Sequence, residues 1–101
     1  MKRHIFVIDL DGTLCTNTDG KYEQAKPYLD RINKINRIHK KGHIVIIDTA
    51  RGSLTKKDWK ELTKKQLKEW GVRYNKLKVG TKTFGHIYID DSAINSKDFF
   101  K

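Results

Sequence analysis

The chain has 101 residues, enough for one domain spanning 1–101. With 37% apolar residues it can hold a single modest core, and no run of about 20 apolar residues offers a membrane span. Lys and Arg total 22 against 12 Asp and Glu, a formal net charge of +10, which suits an anionic partner or, as readily, solvated lysine-rich helix faces. The single cysteine, Cys15, excludes an internal disulfide and fits a reducing, cytoplasmic setting.

In chain order, "HIFVID" (His4–Asp9) is a short apolar run rich in β-branched residues and predicts a buried strand. It runs directly into "LDGTL", so that Asp9 and Asp11 stand on either side of one leucine. "GTLCTNTDGKYEQAKP" reads as a loop with turn residues at Asn17, Asp19 and Gly20. Pro27 suits the first turn of a helix reaching to about Lys41, with Leu29, Ile32, Ile35 and Ile38 on a broad apolar face and Gly42 as its stop.

"HIVIID" (His43–Asp48) repeats the first pattern, an apolar run closed by an acid, and "TARGS" follows as a loop. "TKKDWKELTKKQLKEWG" predicts the second helix, with Thr55 and Asp58 in capping-box spacing. Trp59, Leu62, Leu67 and Trp70 fall within about 140° of its wheel and read as core, with lysines over much of the remainder. "KLKVG" suits a short strand, "HIYIDD" (His86–Asp91) a third strong strand ending in acids, and "SAINSKDFF" a short terminal helix.

Strands alternating with helices predict an α/β fold with a parallel sheet. Such sheets bind ligands beyond the carboxyl ends of their strands, where Asp9, Asp48 and Asp90 would gather. Carboxylates at Asp9, Asp11, Asp90 and Asp91 would repel one another unless a cation joins them. Oxygen ligands without His or Cys favour Mg²⁺. The hydroxyl of Thr49, after the second strand, and the charge of Lys82, before the third, could hold phosphate oxygens. Arg51 is a second candidate phosphate contact or else a structural ion pair, and Gly12 would let the backbone approach phosphate closely. Together these are the parts of phosphoryl transfer, which relies on positioning and charge neutralisation. The histidines have no metal-ligand spacing, and Cys15 is expected to pack rather than react.

"DLDGTL" at 9–14 resembles the DxDGT signature of the haloacid dehalogenase (HAD) superfamily. Thr49 at a strand end, Lys82 eight residues before Asp90, and "IYIDD" at 87–91 resemble its remaining motifs, in the family's order and over nearly the whole chain. More narrowly, "DTARG", "KEWGVRY" and "IDDSAIN" resemble small capless members found among phage and surface-polysaccharide proteins. Thr83, His86 and Ser92 depart from that group, which often has Pro, Asp and Lys there. The resemblance implies a compact Rossmann-like core, three-layer α/β/α without a folded cap. It implies a Mg²⁺-dependent phosphatase in the cytoplasm, a host's if the chain is phage-encoded. Asp9 would be nucleophile and Asp11 the general acid and base. Thr49 and Lys82 would hold the phosphoryl group. Asp9, the Asp11 carbonyl, Asp90 and Asp91 would serve the metal. The substrate would be a sugar phosphate, with a nucleic-acid 3′-phosphate the alternative that the basic charge suggests, and a large substrate or a second copy would cover the open site. The competing reading is a non-catalytic phosphate- or nucleic-acid-binding module; the pairing of Asp9 with Asp11 speaks against it.

Overall fold

The computed structural model describes residues 3–51, 58–80 and 87–89. Strand β1 (Ile5–Asp9) is followed by helix α1 (Leu29–Lys40), strand β2 (Ile44–Thr49), helix α2 (Lys60–Glu69), and strands β3 (Lys76–Val79) and β4 (Ile87–Ile89). The four strands form one sheet in the order β3-β2-β1-β4, and every pairing is parallel. The parallel α/β sheet is what the alternation predicts, and the arrangement is the short Rossmann-like one that the resemblance implies. The segment "SAINSKDFF" lies outside the described residues.

The chain steps outward from β1 to β2 to β3, always in the same direction. Right-handed crossovers then place α1 and α2 on one face of the sheet. The core agrees: Phe6, Ile8, Val45 and Ile47 point to that face and pack with Ile32 and Ile35 of α1 and Leu67 of α2. Strand alternation turns Val7 and Ile46 to the opposite face, where both are also buried. Burial on both faces is why these strands read as continuous apolar runs. Each fully buried Ile or Leu contributes roughly 1.5–3 kcal/mol.

Helix α1 starts later than Pro27. Pro27 instead forms an isolated bridge with Cys15, and Tyr28 is the N-cap. Its buried face is also narrower than expected: Ile32 and Ile35 are buried, whereas Leu29 is 58% exposed. Gly42, at φ 96°, stops the helix in a conformation that side chains resist. Helix α2 begins at Lys60, so Asp58 precedes it and its Oδ1 accepts the Lys60 N–H at 2.9 Å. That places Asp58 outside the helix rather than at its third position, and Thr55 lies outside the described residues.

The expected apolar arc of α2 also differs. Leu67 is buried, but Trp59, Leu62 and Trp70 are only half-buried, and the other buried positions are Thr63 and Gln66. Lys60, Lys64, Lys65 and Lys68 are exposed, as a solvated face requires. No helix among the described residues is long and apolar enough to cross a membrane.

Candidate functional site

The turn after β1 is wound around one carbonyl. The Leu10 oxygen faces the N–H groups of Thr13, Leu14 and Cys15 at 3.2, 2.9 and 3.3 Å. Leu10 and Leu14 are fully buried and anchor the turn in the core. Gly12 sits at φ 85° and donates its N–H to the Cys15 carbonyl at 2.8 Å. Only glycine takes that conformation without strain. The turn lifts Asp11 to the carboxyl end of the sheet and packs Cys15 beneath it. Arg31 of α1 braces the turn from outside, donating from Nη1 to the Thr13 carbonyl at 2.9 Å.

Asp9 closes β1, half-buried, and is in register with Asp48 of β2. Asp48 in turn is in register with Lys78 of β3, so a cation flanks the two acids on one side. Lys78 has its pKa lowered, chiefly by the Lys76 side chain beside it, with Asp48 opposing. Strand β4 brings Ile89 level with Ile8, running parallel toward the same edge. Asp90, Asp91 and Lys82 lie outside the described residues.

Thr49, the last residue of β2, is 2% exposed and turns to the helix-covered face. Its hydroxyl donates to Asp11 Oδ2 at 3.4 Å and accepts the Arg51 N–H at 3.2 Å. The structure thus joins Asp11 and Thr49, from the first two motifs, directly.

Arg51 points inward, not toward an open phosphate position. Its side chain is fully buried against an Asp11 side chain 17% exposed. Nε donates to Asp11 Oδ2 at 2.9 Å and Nη2 to Asp11 Oδ1 at 2.8 Å, a two-pronged pair. Nη1 donates to Thr63 Oγ1 at 3.1 Å and Gln66 Oε1 at 2.6 Å. The Tyr22 ring covers the guanidinium at 4.7 Å from Cζ. Gln66 also donates through Nε2 to the Tyr22 carbonyl at 2.6 Å. Of the two roles expected for Arg51, this is the geometry of the ion pair.

Tyr22, Thr63 and Gln66 are the residues that sequence reasoning missed. A signal existed for two of them. On the α2 wheel Thr63 and Gln66 fall inside the arc bounded by Leu62 and Leu67, polar residues on a face predicted to be buried. Tyr22 carried no such signal.

Cys15 Sγ lies 3.5 Å from Asp11 Oδ1 and 3.7 Å from the Leu10 carbonyl. Burial pushes its thiol up to about 12, the Asp11 charge adds to this, and Arg51 opposes it. Packing, not reactivity, is the role this gives it. The expected cap-free outline also has a local basis. Thr16 and Lys26 tie the neck of the intervening loop, Thr16 N–H to Lys26 O at 2.9 Å and Lys26 N–H to Thr16 Oγ1 at 3.0 Å. Its only regular element is the 3-10 turn Tyr22–Gln24.

Among the described residues, no three His, Cys, Asp or Glu side chains gather to hold a metal. The expected ligand set draws on Asp90 and Asp91, which lie beyond them. The donors that are described at this edge are oxygens, the Asp9 carboxylate and the Asp11 carbonyl. Both Asp11 carboxylate oxygens already accept from Arg51. Such a donor set suits a hard divalent cation.

A second concavity, of about 610 Å³, lies at the other end of the sheet and is lined by Asn33, Asn36, Arg37, His39, Lys40 and Arg73. Arg37, His39 and Lys40 occupy the last turn of α1, where cations complement the helix dipole. Their charge therefore has a structural use of its own.

No family model and no curated protein matches this chain. Among solved structures it is similar to a crystal structure of an MCSG target from Vibrio cholerae, at 29% identity and a TM-score of 0.77. The match covers 96% of this chain and 87% of that chain, which establishes the α/β fold over nearly its full length.

Proposed function

We propose that the protein is a Mg²⁺-dependent phosphatase of the HAD type, hydrolysing a phosphomonoester through an aspartyl-phosphate on Asp9. The observation that carries this reading is the meeting of Asp11 with Thr49 at the carboxyl end of the sheet, two residues beyond Asp9 at the end of β1. A strand terminator needs one acid and no partner from the next strand. Here the second acid is held in a fixed orientation beside a hydroxyl.

In this reading an Asp9 carboxylate oxygen attacks phosphorus. The phosphorus–ester-oxygen bond breaks, and the leaving oxygen takes a proton from Asp11, which must first bind one from solvent on an oxygen that Arg51 releases. Water then gives a proton back to Asp11 and attacks the aspartyl-phosphate, which releases inorganic phosphate and restores Asp9. The Thr49 hydroxyl, whose proton goes to Asp11 in this structure, would turn to hold a phosphoryl oxygen together with Lys82, and the backbone at Gly12 allows close approach. Asp9, the Asp11 carbonyl, Asp90 and Asp91 would hold Mg²⁺, whose charge would neutralise the phosphoryl oxygens and the gathered acids. Asp11 has both oxygens committed to Arg51, so one hydrogen bond must lengthen for it to reach a leaving oxygen.

The closed, tied loop between Thr16 and Lys26 provides no domain to cover the site. That favours either a substrate large enough to exclude water itself or coverage by a second copy. A sugar phosphate and a nucleic-acid 3′-phosphate are the two substrates to separate. The test is hydrolysis of a panel of sugar phosphates, nucleotides and 3′- or 5′-phosphorylated oligonucleotides with Mg²⁺. Asp9→Asn should abolish turnover of every substrate the native chain hydrolyses, with an unchanged circular dichroism spectrum. Persistent turnover in that variant would remove Asp9 as nucleophile.

A further inference from the structure

We propose that Thr63 and Gln66 of α2 form a positioning pair that aims the Asp11 carboxylate through Arg51, and that this is why a polar pair occupies the buried face of α2. The inference rests on the phosphatase reading, because it assigns these residues to the proton transfer at Asp11.

The chain of contacts is continuous. Arg51 presents Nε and Nη2 to Asp11 at 2.9 and 2.8 Å, so its plane sets the plane of the carboxylate. Its opposite nitrogen, Nη1, is held by Gln66 Oε1 at 2.6 Å and Thr63 Oγ1 at 3.1 Å. Both anchors are themselves fixed: Thr63 donates to the Trp59 carbonyl at 2.8 Å, and Gln66 to the Tyr22 carbonyl at 2.6 Å. Thr63 is fully buried and Gln66 is 5% exposed, so neither can be exchanged for water at its post. A guanidinium has its N–H donors in a rigid fork. Rotation at the Nη1 end therefore appears undiminished at the Asp11 end. Arg51 with these two anchors converts the position of a helix into the direction of a carboxylate.

A packing role alone would not require this arrangement. Thr63 and Gln66 sit one turn apart, with Leu67 beside them on the same face. Apolar residues there would fill the interface between α2 and the sheet as well, but would leave Arg51 Nη1 without its two acceptors. The polar pair has meaning only through the guanidinium it holds.

The test separates aim from fold by varying the leaving group. An acid that protonates the departing oxygen matters for phenyl or alkyl phosphates and little for 2,4-dinitrophenyl phosphate, whose phenolate leaves unprotonated. Thr63→Val, Gln66→Leu and the double variant are compared with the native chain and with Thr63→Ser, which keeps the hydroxyl. Melting temperatures identify any variant that is not folded. The expected result is a loss on the order of 10²-fold in the first-turnover rate of phenol release for the double variant, a near-native first-turnover rate of dinitrophenolate release, which precedes the water step that also uses Asp11, and native behaviour on both esters for Thr63→Ser. Equal losses on the two esters in a folded variant, or no loss on either, would overturn the positioning role while the native activity kept the phosphatase reading alive. Absence of turnover of either ester by the native chain would overturn the phosphatase reading, and the positioning role with it.

Discussion

Replacing Arg51 with methionine should be among the most damaging single changes in this protein. The substitution keeps an unbranched chain in the buried space but removes every donor around which the site is built. Asp11 loses both guanidinium donors and keeps only the longer contacts of the Thr49 hydroxyl and the Cys15 thiol while remaining mostly shielded, and Gln66 and Thr63 lose the donor between them. Breaking a buried pair from one side costs roughly 3–5 kcal/mol, because the surviving charge is uncompensated. With the Asp11 side chain still 17% exposed, water relieves part of this, so the lower end, about 3 kcal/mol, applies. Against a total stability of roughly 5–15 kcal/mol, that is a large share. At about 4–8 °C per kcal/mol for a domain of this size, Tm should fall by about 12–24 °C. Urea unfolding followed by the fluorescence of the half-buried Trp59 and Trp70 measures it. The double variant Arg51→Met with Asp11→Asn removes the charge that causes the penalty, so it should be more stable than Arg51→Met alone. A loss below about 1 kcal/mol would place this pair with exposed ion pairs and refute the reasoning. So would a double variant no better than the single.

Further expectations follow from the same geometry. Asp11→Asn keeps the size of the side chain but cannot cycle a proton, and should slow hydrolysis of phenyl phosphate by roughly 10²–10⁴-fold in steady-state assays. Cys15 should resist iodoacetamide at pH 8 in the native protein and react once urea unfolds it, as mass spectrometry would read; native labelling would contradict its burial. The same thiol gives an alkaline limb to stability. Between about pH 9 and 12 the unfolded chain has released this proton and the folded chain keeps it, so folding weakens as pH rises through that window. Cys15→Ala should flatten that limb in urea titrations. If the positive charge serves nucleic acid, oligonucleotide affinity should fall steeply between low and moderate salt; a flat response would sink that partner.

The strands and the direction of the sheet were legible in the sequence because "IFVID" and "IVIID" are buried on both faces, and such runs have few other uses. The acids at their ends gave the edge where a site could form. What could not be read was where Arg51 turns. Its sequence neighbours, Ala50 and Gly52, say nothing of direction, and a guanidinium on a loop reads equally well as a ligand contact or as an ion pair. Its burial depends on Asp11, forty residues earlier, and on Thr63 and Gln66 further along the chain. Hydrophobic periodicity counts a threonine and a glutamine as solvent-facing, so the face of α2 was drawn from Trp59, Leu62, Leu67 and Trp70, of which the two tryptophans cap the helix at its ends. Pro27 misled for a related reason. Its fixed φ suits a helix start, but the bridge to Cys15 claims it first.

The position of β3 at the end of the sheet order changes what the net charge of +10 means. An outermost strand leaves backbone donors and acceptors facing outward, where a second molecule could extend the sheet. Alternation puts Lys76 and Lys78 on one side of this strand, close enough that Lys76 lowers the pKa of Lys78. Two such edges brought together would crowd four ammonium groups. Like charge on these two lysines would disfavour that pairing, and acetylation of the amines should relieve it.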